Sequence, residues 1–239
     1  MGILFLVRHA QASLLEHNYD KLSERGEEQA RLLGQYWSQR NVVFDRACTG
    51  PCARQKDTAN LLSDEYRKAG LGFPDPLVLP EFDEYEGEAV LERSLPRLLE
   101  NDLSVRNLHS AFQSSSGSAR RRATFQKLYE AVIGNWVDDA IPLPGVERWA
   151  EFCSRVNSGL TNFLSCGGRG ERVAIVTSGG PIAVAMQRAL NLSPQHTLRV
   201  SWMSRNCSWS EFLYSGDRFT LSAFNTHPHL NDAAMLTHR

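Results

Sequence analysis

The chain has 239 residues, a formal net charge of −1 and 42% hydrophobic residues, enough for a large core in one α/β domain with an insertion. The near-neutral charge argues against a nucleic-acid surface, and no apolar run approaches membrane-spanning length, so neither nucleic acid nor membrane is expected as a partner. The five cysteines are odd in number and lack paired zinc-site spacings, which favours reduced thiols in a cytoplasmic protein.

Residues 2–7, Gly-Ile-Leu-Phe-Leu-Val, are too short for a helix and nearly all apolar, as in a strand covered on both faces. Arg8 breaks this run before it could serve as a signal core. With His9 it falls at the carboxyl end of the strand, where open parallel sheets collect ligands. Arg8 is suited to a bidentate grip on phosphate, and a neutral His9 imidazole is suited to attack phosphorus. Two solvated polar residues at a strand end would give the same pattern.

Ser23 is a plausible N-cap for a helix with Glu24, Glu27 and Glu28 in its first turn and Ala30, Leu33 and Trp37 on one face. Val42 to Cys48 read as a second strand, Gly50-Pro51 as a turn, and the following segment as a helix from about Ala53 to near Gly70. Residues 71–87, with Pro74, Pro76 and Pro80, read mostly as loop. From about 88 to 140 the chain is helical and polar, with a Ser-rich break at 114–118 and a helical stripe from Phe125 through Trp136. Arg120, Arg121 and Arg122 at a helix start read as a solvated face.

Another helix follows Pro144-Gly145, burying Trp149, Phe152, Val156, Leu160 and Phe163. Arg172 to Thr177 form a further short strand leading into Ser178-Gly179-Gly180-Pro181 and a helix through Leu190. Glycines at a strand-to-helix turn let backbone N–H groups approach an anion, and Pro181 fits the first helical position.

Leu6-Val7-Arg8-His9-Ala10 resembles the Arg-His-Gly signature of the histidine phosphatase superfamily, which includes cofactor-dependent phosphoglycerate mutases and many small phosphatases. In the same order, Leu22 to Ala30 resembles the first-helix motif, Thr49 to Ala59 the segment carrying a second arginine, and Phe82-Asp83-Glu84 the proton-donor segment. Pro144 to Glu147 and Val176 to Gly180 are similar to the later segments, so the resemblance spans nearly the whole chain.

The resemblance implies a three-layer α/β/α sandwich around a mostly parallel sheet, with the helical insertion at about 88–140 forming a cap that sets substrate choice. It makes His9 the acceptor of a phosphoryl group from a small phosphorylated substrate, clamped by Arg8 and Arg54. Glu84 is the implied proton donor, since an anionic substrate beside it favours the protonated acid; Glu81 is the next choice. The scheme needs no metal and no cofactor.

Gln11 and Ser13 could add hydrogen bonds to phosphate, and Gly179 a backbone contact. Arg54 could instead pair with Asp57 on a helix surface. Two positions depart from the family pattern. Ala10 replaces the usual glycine, and Ser178 stands where the family places a second histidine, leaving a neutral donor where a charged one is usual. This leaves open a phosphatase of full or reduced rate, a phosphate- or phosphoprotein-binding module without chemistry, or a mutase. His227 or His229 could replace the missing imidazole, though a surface tail is the plainer reading of both.

Overall fold

The structure, a computed structural model, describes residues 1–13, 20–168 and 170–238. These form two compact units, one from Met1–Glu84 with Arg155–Arg239 and the other from Tyr85–Ser154.

The first unit is built on a six-stranded sheet. Its strands are β1 (Gly2–Arg8), β2 (Arg46–Thr49), β3 (Leu77–Val78), β4 (Arg172–Thr177), β5 (Trp209–Ser215) and β6 (Arg218–Thr226), in the order β3-β2-β4-β1-β5-β6. The strands β3, β2, β4 and β1 are mutually parallel, whereas β5 and β6 add an antiparallel edge, so the sheet is mixed. The helices of this unit are α1 (Glu24–Ser38), α2 (Ala53–Lys68), α7 (Gly179–Leu190), α8 (Pro194–Met203) and the later part of α6 (Trp149–Ser165).

Strand alternation sorts the core. Phe5 and Val7 of β1, with Ala174 and Val176 of β4, pack on Leu33 and Trp37 of α1 and Leu62 and Tyr66 of α2. Leu4, Leu6, Val173 and Ile175 fall on the opposite face and are equally buried, which explains why β1 and β4 read as continuous apolar runs. At the start of α1, the Ser23 hydroxyl accepts the Gly26 N–H as the N-cap.

The strand read at Val42 to Cys48 is shorter at its start. Asn41 takes a positive φ of 51°, and the Val42 N–H returns to Trp37 O. The Val42 and Val43 carbonyls accept from Tyr66 Oη and Arg172 Nη1, so this stretch is held by side chains and joins the ladder only at Arg46. Pro181 also moves. Helix α7 begins at Gly179, with Ser178 at the N-cap, and the proline lies in its first turn, where a missing N–H removes no helical bond.

The second unit is helical. It contains α3 (Gly87–Asn101), α4 (Leu103–Gln113), α5 (Ser118–Val137) and the start of α6. Leu128, Val132, Ile133 and Trp136 of α5 are buried, and Trp136 packs edge-on against Trp149. Among the described residues no helix is long and apolar enough to cross a membrane.

Candidate active site

All the predicted site residues belong to the first unit. The parallel register pairs Arg8 with Thr177, so β1 and β4 end side by side, and the His9 N–H donates to Thr177 O at 2.7 Å. His9 is buried, and its Nδ1 lies 2.7 Å from its neighbour's carbonyl, Ala10 O. That contact requires Nδ1 to carry the proton and leaves Nε2 with its lone pair. Arg54 Nε donates to Nε2 at 3.3 Å. Burial first, then the charges of Arg54 and Arg8, holds the imidazole well below its ordinary pKa. A neutral imidazole with a fixed tautomer, set between two guanidinium groups, has the chemistry a nucleophile needs.

Arg54 is positioned by its own helix start. The Asp20 carboxylate takes the Ala53 N–H at 2.7 Å, the Arg54 N–H at 3.3 Å and Arg54 Nη1 at 2.8 Å. A carboxylate thus occupies the positive end of α2 and pairs with the arginine, replacing the Asp57 pairing considered for a surface helix. Thr58 locks this helix to the loop after β1, accepting the Ala10 N–H at 3.0 Å and donating to Arg54 O at 2.7 Å.

On the other side, Arg8 Nη1 donates to Ser204 O. The turn at 204–208 wraps the end of β1: Arg8 N donates to Ser208 O, and the Cys207 N–H faces both Arg8 O and His9 O. Cys207 adopts a φ of 58° to do so, a conformation uncommon outside glycine. Gly179 lies beside Arg8. A Cβ there would stand 3.1 Å from Ser201 O and 4.0 Å from Arg8 Cζ.

Ser178, where an imidazole was expected from the family pattern, is 1% exposed. Its Oγ accepts from Gln55 Nε2 at 2.8 Å. The orientation of Gln55 follows from its other contacts, because Oε1 takes the Cys52 N–H at 3.1 Å and Nε2 also reaches Phe82 O at 3.3 Å. With its oxygen accepting, the hydroxyl proton of Ser178 has no acceptor among the described residues, so it is available to an incoming anion.

Glu84 Oε2 accepts the Gly180 N–H at 3.1 Å, which places its carboxyl at the start of α7 next to Ser178. Thr177 Oγ1 donates to Phe82 O at 2.7 Å, fixing the 82–84 segment against β4. Glu81 instead lies against α6, its Cβ 2.5 Å from where a Cβ on Gly159 would stand.

The structure therefore gathers Arg8, His9, Arg54, Ser178, Gly179 and Glu84 at one sheet end. Gln11 and Ser13 lie on the loop leaving His9. Gln11 is tied to α1 through Gln29 and Ser23, and the Ser13 N–H donates to Lys21 O. His229 is not a surface residue. It is buried and stacks on Trp209, with burial lowering its pKa to about 3. His227 contacts Arg205, with Nη1 2.7 Å from Nε2. Among the described residues no group of His, Cys, Asp and Glu is arranged to hold a metal ion.

The histidine phosphatase superfamily (branch 1) model matches residues 4–98 and 114–227. The chain belongs to this superfamily. No curated protein matches it in sequence. Among solved structures it is similar to a mutant of Entamoeba histolytica phosphoserine phosphatase in complex with phosphoserine, at 17% identity and TM-score 0.62, covering 96% of this chain and 100% of that one. It also resembles the alpha-ribazole phosphatase of Shigella flexneri, at 18% identity and TM-score 0.60 over 94% and 96% of the two chains. A phosphoglycerate mutase from Bacillus anthracis has 16% identity and TM-score 0.60 over 95% and 94%. At these identities the three establish a common fold.

Asp20, Gln55, Thr58 and the 204–208 turn are parts of this candidate site that the sequence motifs do not single out. Gln55 lies inside the quoted second-arginine segment, yet only the fold brings it to Ser178.

Proposed function

We propose that this chain is a phosphomonoester hydrolase that works through a phosphohistidine at His9. The observation that carries the reading is the state of that imidazole: buried, neutral, its Nδ1–H held by Ala10 O and its Nε2 facing Arg54.

In the first step Nε2 attacks phosphorus. The N–P bond forms as the ester P–O bond breaks, and Glu84 gives its proton to the leaving oxygen. Arg8 and Arg54 balance charge on the non-bridging oxygens, and the Ser178 hydroxyl donates a neutral hydrogen bond. In the second step water attacks phosphorus, the N–P bond breaks, and Glu84 takes the water proton. Neither step calls for a metal or a cofactor.

The substrate is a small phosphorylated molecule, and the helical insertion sets the choice among such molecules. Chain connectivity supports this: the helical unit leaves the sheet unit immediately after Glu84. Five unbridged cysteines suit a cytoplasmic setting.

The test is turnover of an aryl phosphate by wild type and His9→Ala, with mass spectrometry of protein quenched at alkaline pH. Turnover lost in the variant, with one acid-labile phosphoryl group on a His9 peptide, is the expected result. Equal turnover by both proteins, or none by wild type, would overturn the reading.

A further inference from the structure

A second cationic centre adjoins Arg8 and has no role in the chemistry above. Arg205 stands in the turn whose Ser204 carbonyl accepts Arg8 Nη1, and its backbone N–H is fixed by Asn225 Oδ1 at 2.8 Å. Its guanidinium is steered by His227. The Nδ1 of that ring lies 2.8 Å from Asn225 O, so Nδ1 carries the proton and Nε2 accepts Arg205 Nη1 at 2.7 Å.

Arg205 Nε is buried with no hydrogen-bond partner, and among the described residues no carboxylate pairs with this arginine. Such a group, oriented yet unsatisfied, is costly unless something arrives to complete it.

His238 adds to the cluster. It lies against the same Ser204 carbonyl and faces the positive charges of Arg205 and Arg8. Burial first and those charges next lower its pKa. The tail that brings it there is anchored: Thr237 O accepts the Asn206 N–H at 2.8 Å, and Gln29 Nε2 donates to Met235 O at 2.7 Å.

We infer that Arg205, oriented by His227 and flanked by His238, forms a subsite for a second anionic group carried on the leaving-group side of the substrate. Arg8 grips the phosphoryl group, and Arg205, three residues before the Ser208 carbonyl that receives the Arg8 N–H, grips the other anion. The preferred substrates are then phosphomonoesters whose alcohol or phenol bears a carboxylate or a further phosphate. This rests on the phosphatase reading for its catalytic consequence, although the binding can be tested apart from it.

The probes are phenyl phosphate and 3-carboxyphenyl phosphate, which differ by one carboxylate. Their equilibrium binding is measured by calorimetry on the His9→Ala protein, which needs no turnover, and their kcat/KM on the active protein. A preference for the carboxylate probe on the order of tenfold is expected in both, as for one charge-assisted contact.

Arg205→Gln abolishes that preference. His227→Gln, which keeps an acceptor for Arg205, retains it, and His227→Leu loses most of it. A second probe carrying a phosphate in place of the carboxylate distinguishes the two anions by their relative preference. Equal binding of phenyl and 3-carboxyphenyl phosphate to the His9→Ala protein overturns the subsite even if turnover is normal. A preference in binding without turnover by the active protein upholds the subsite while the phosphatase reading fails.

Discussion

Ser178→Ala removes a neutral hydroxyl donor from a cluster that also holds the Arg8 and Arg54 guanidinium groups. The Ser178 oxygen is engaged by Gln55 Nε2 at 2.8 Å, so its proton is the only part of the hydroxyl left to meet a phosphoryl oxygen. Loss of one preorganised donor to a developing oxyanion costs about 10²- to 10³-fold in kcat. Because Arg8 and Arg54 carry most of the charge, the lower end applies, about 10²-fold or roughly 2.7 kcal/mol in the barrier.

Folding suffers less. Gln55 keeps Cys52 N and Phe82 O as partners and loses one bond, for a cost of about 1 kcal/mol. The assay is steady-state turnover of an aryl phosphate, with thermal melts to confirm folding; the effect falls on kcat, since the donor meets charge that grows toward the transition state. Gln55→Met, which frees the hydroxyl to rotate, gives a smaller loss in kcat, of about tenfold. A well-folded Ser178→Ala protein with kcat within threefold of wild type would refute the argument. Ser178→His alone brings no gain, because the position is 1% exposed and Gln55 already stands 2.8 Å away.

Gly50→Ala strikes the same network from outside, since its Cβ would stand 2.2 Å from Gln55 Oε1 and 2.5 Å from Phe82 O. Destabilisation by about 1–3 kcal/mol, with a fall in kcat, is expected from denaturant titration and kinetics. Stability should also depend on pH through His9 and His229, whose folded pKa values are depressed. The unfolded chain takes up protons at both rings near pH 6.5 while the folded protein does not, so stability is full above about pH 7. It declines as pH falls through 6.5, by about 1.4 kcal/mol per unit for each group, until the folded value is reached. For His229 that window runs from about 6.5 down to about 3. Melting curves from pH 7.5 to 5 should slope less in His229→Phe than in wild type, and parallel slopes would remove His229 from the account.

The sequence carried the parts of the site that depend on strand ends and helix starts. Two buried strands with no solvent face read as apolar runs, and their ends locate Arg8, His9 and Ser178 before any contact is known. The supporting groups were not legible because their partners lie far along the chain. Gln55 is an ordinary polar residue in the first turn of α2, and nothing local points to a serine 123 residues later. Arg205 and His238 belong to turn and tail segments without periodicity, and become informative only once β1 brings Arg8 to Ser204. His229 misled for a related reason. His-Pro-His reads as polar tail, but the hydrophobic wall of Trp209 and Tyr36 buries the second ring.

The electrostatics of the site give the neutral hydroxyl of Ser178 a context. Both helices that start here begin on an acidic side chain: the Asp20 carboxylate on the Ala53 and Arg54 amides, and the Glu84 carboxyl on the Gly180 amide. The start of α2 is thereby partly neutralised, the Gly180 amide at the start of α7 is already occupied, and Asp20 offsets Arg54 as well. With a neutral serine hydroxyl at 178, attraction for a dianion depends more heavily on Arg8. A site weakened toward bare phosphate gains most from a cation that reads the rest of the substrate, and Arg205 is the adjacent guanidinium without a carboxylate among the described residues. Selectivity for the leaving group should therefore respond to Arg205 more strongly than affinity for inorganic phosphate does, a comparison that phosphate inhibition constants for Arg205→Gln and wild type provide.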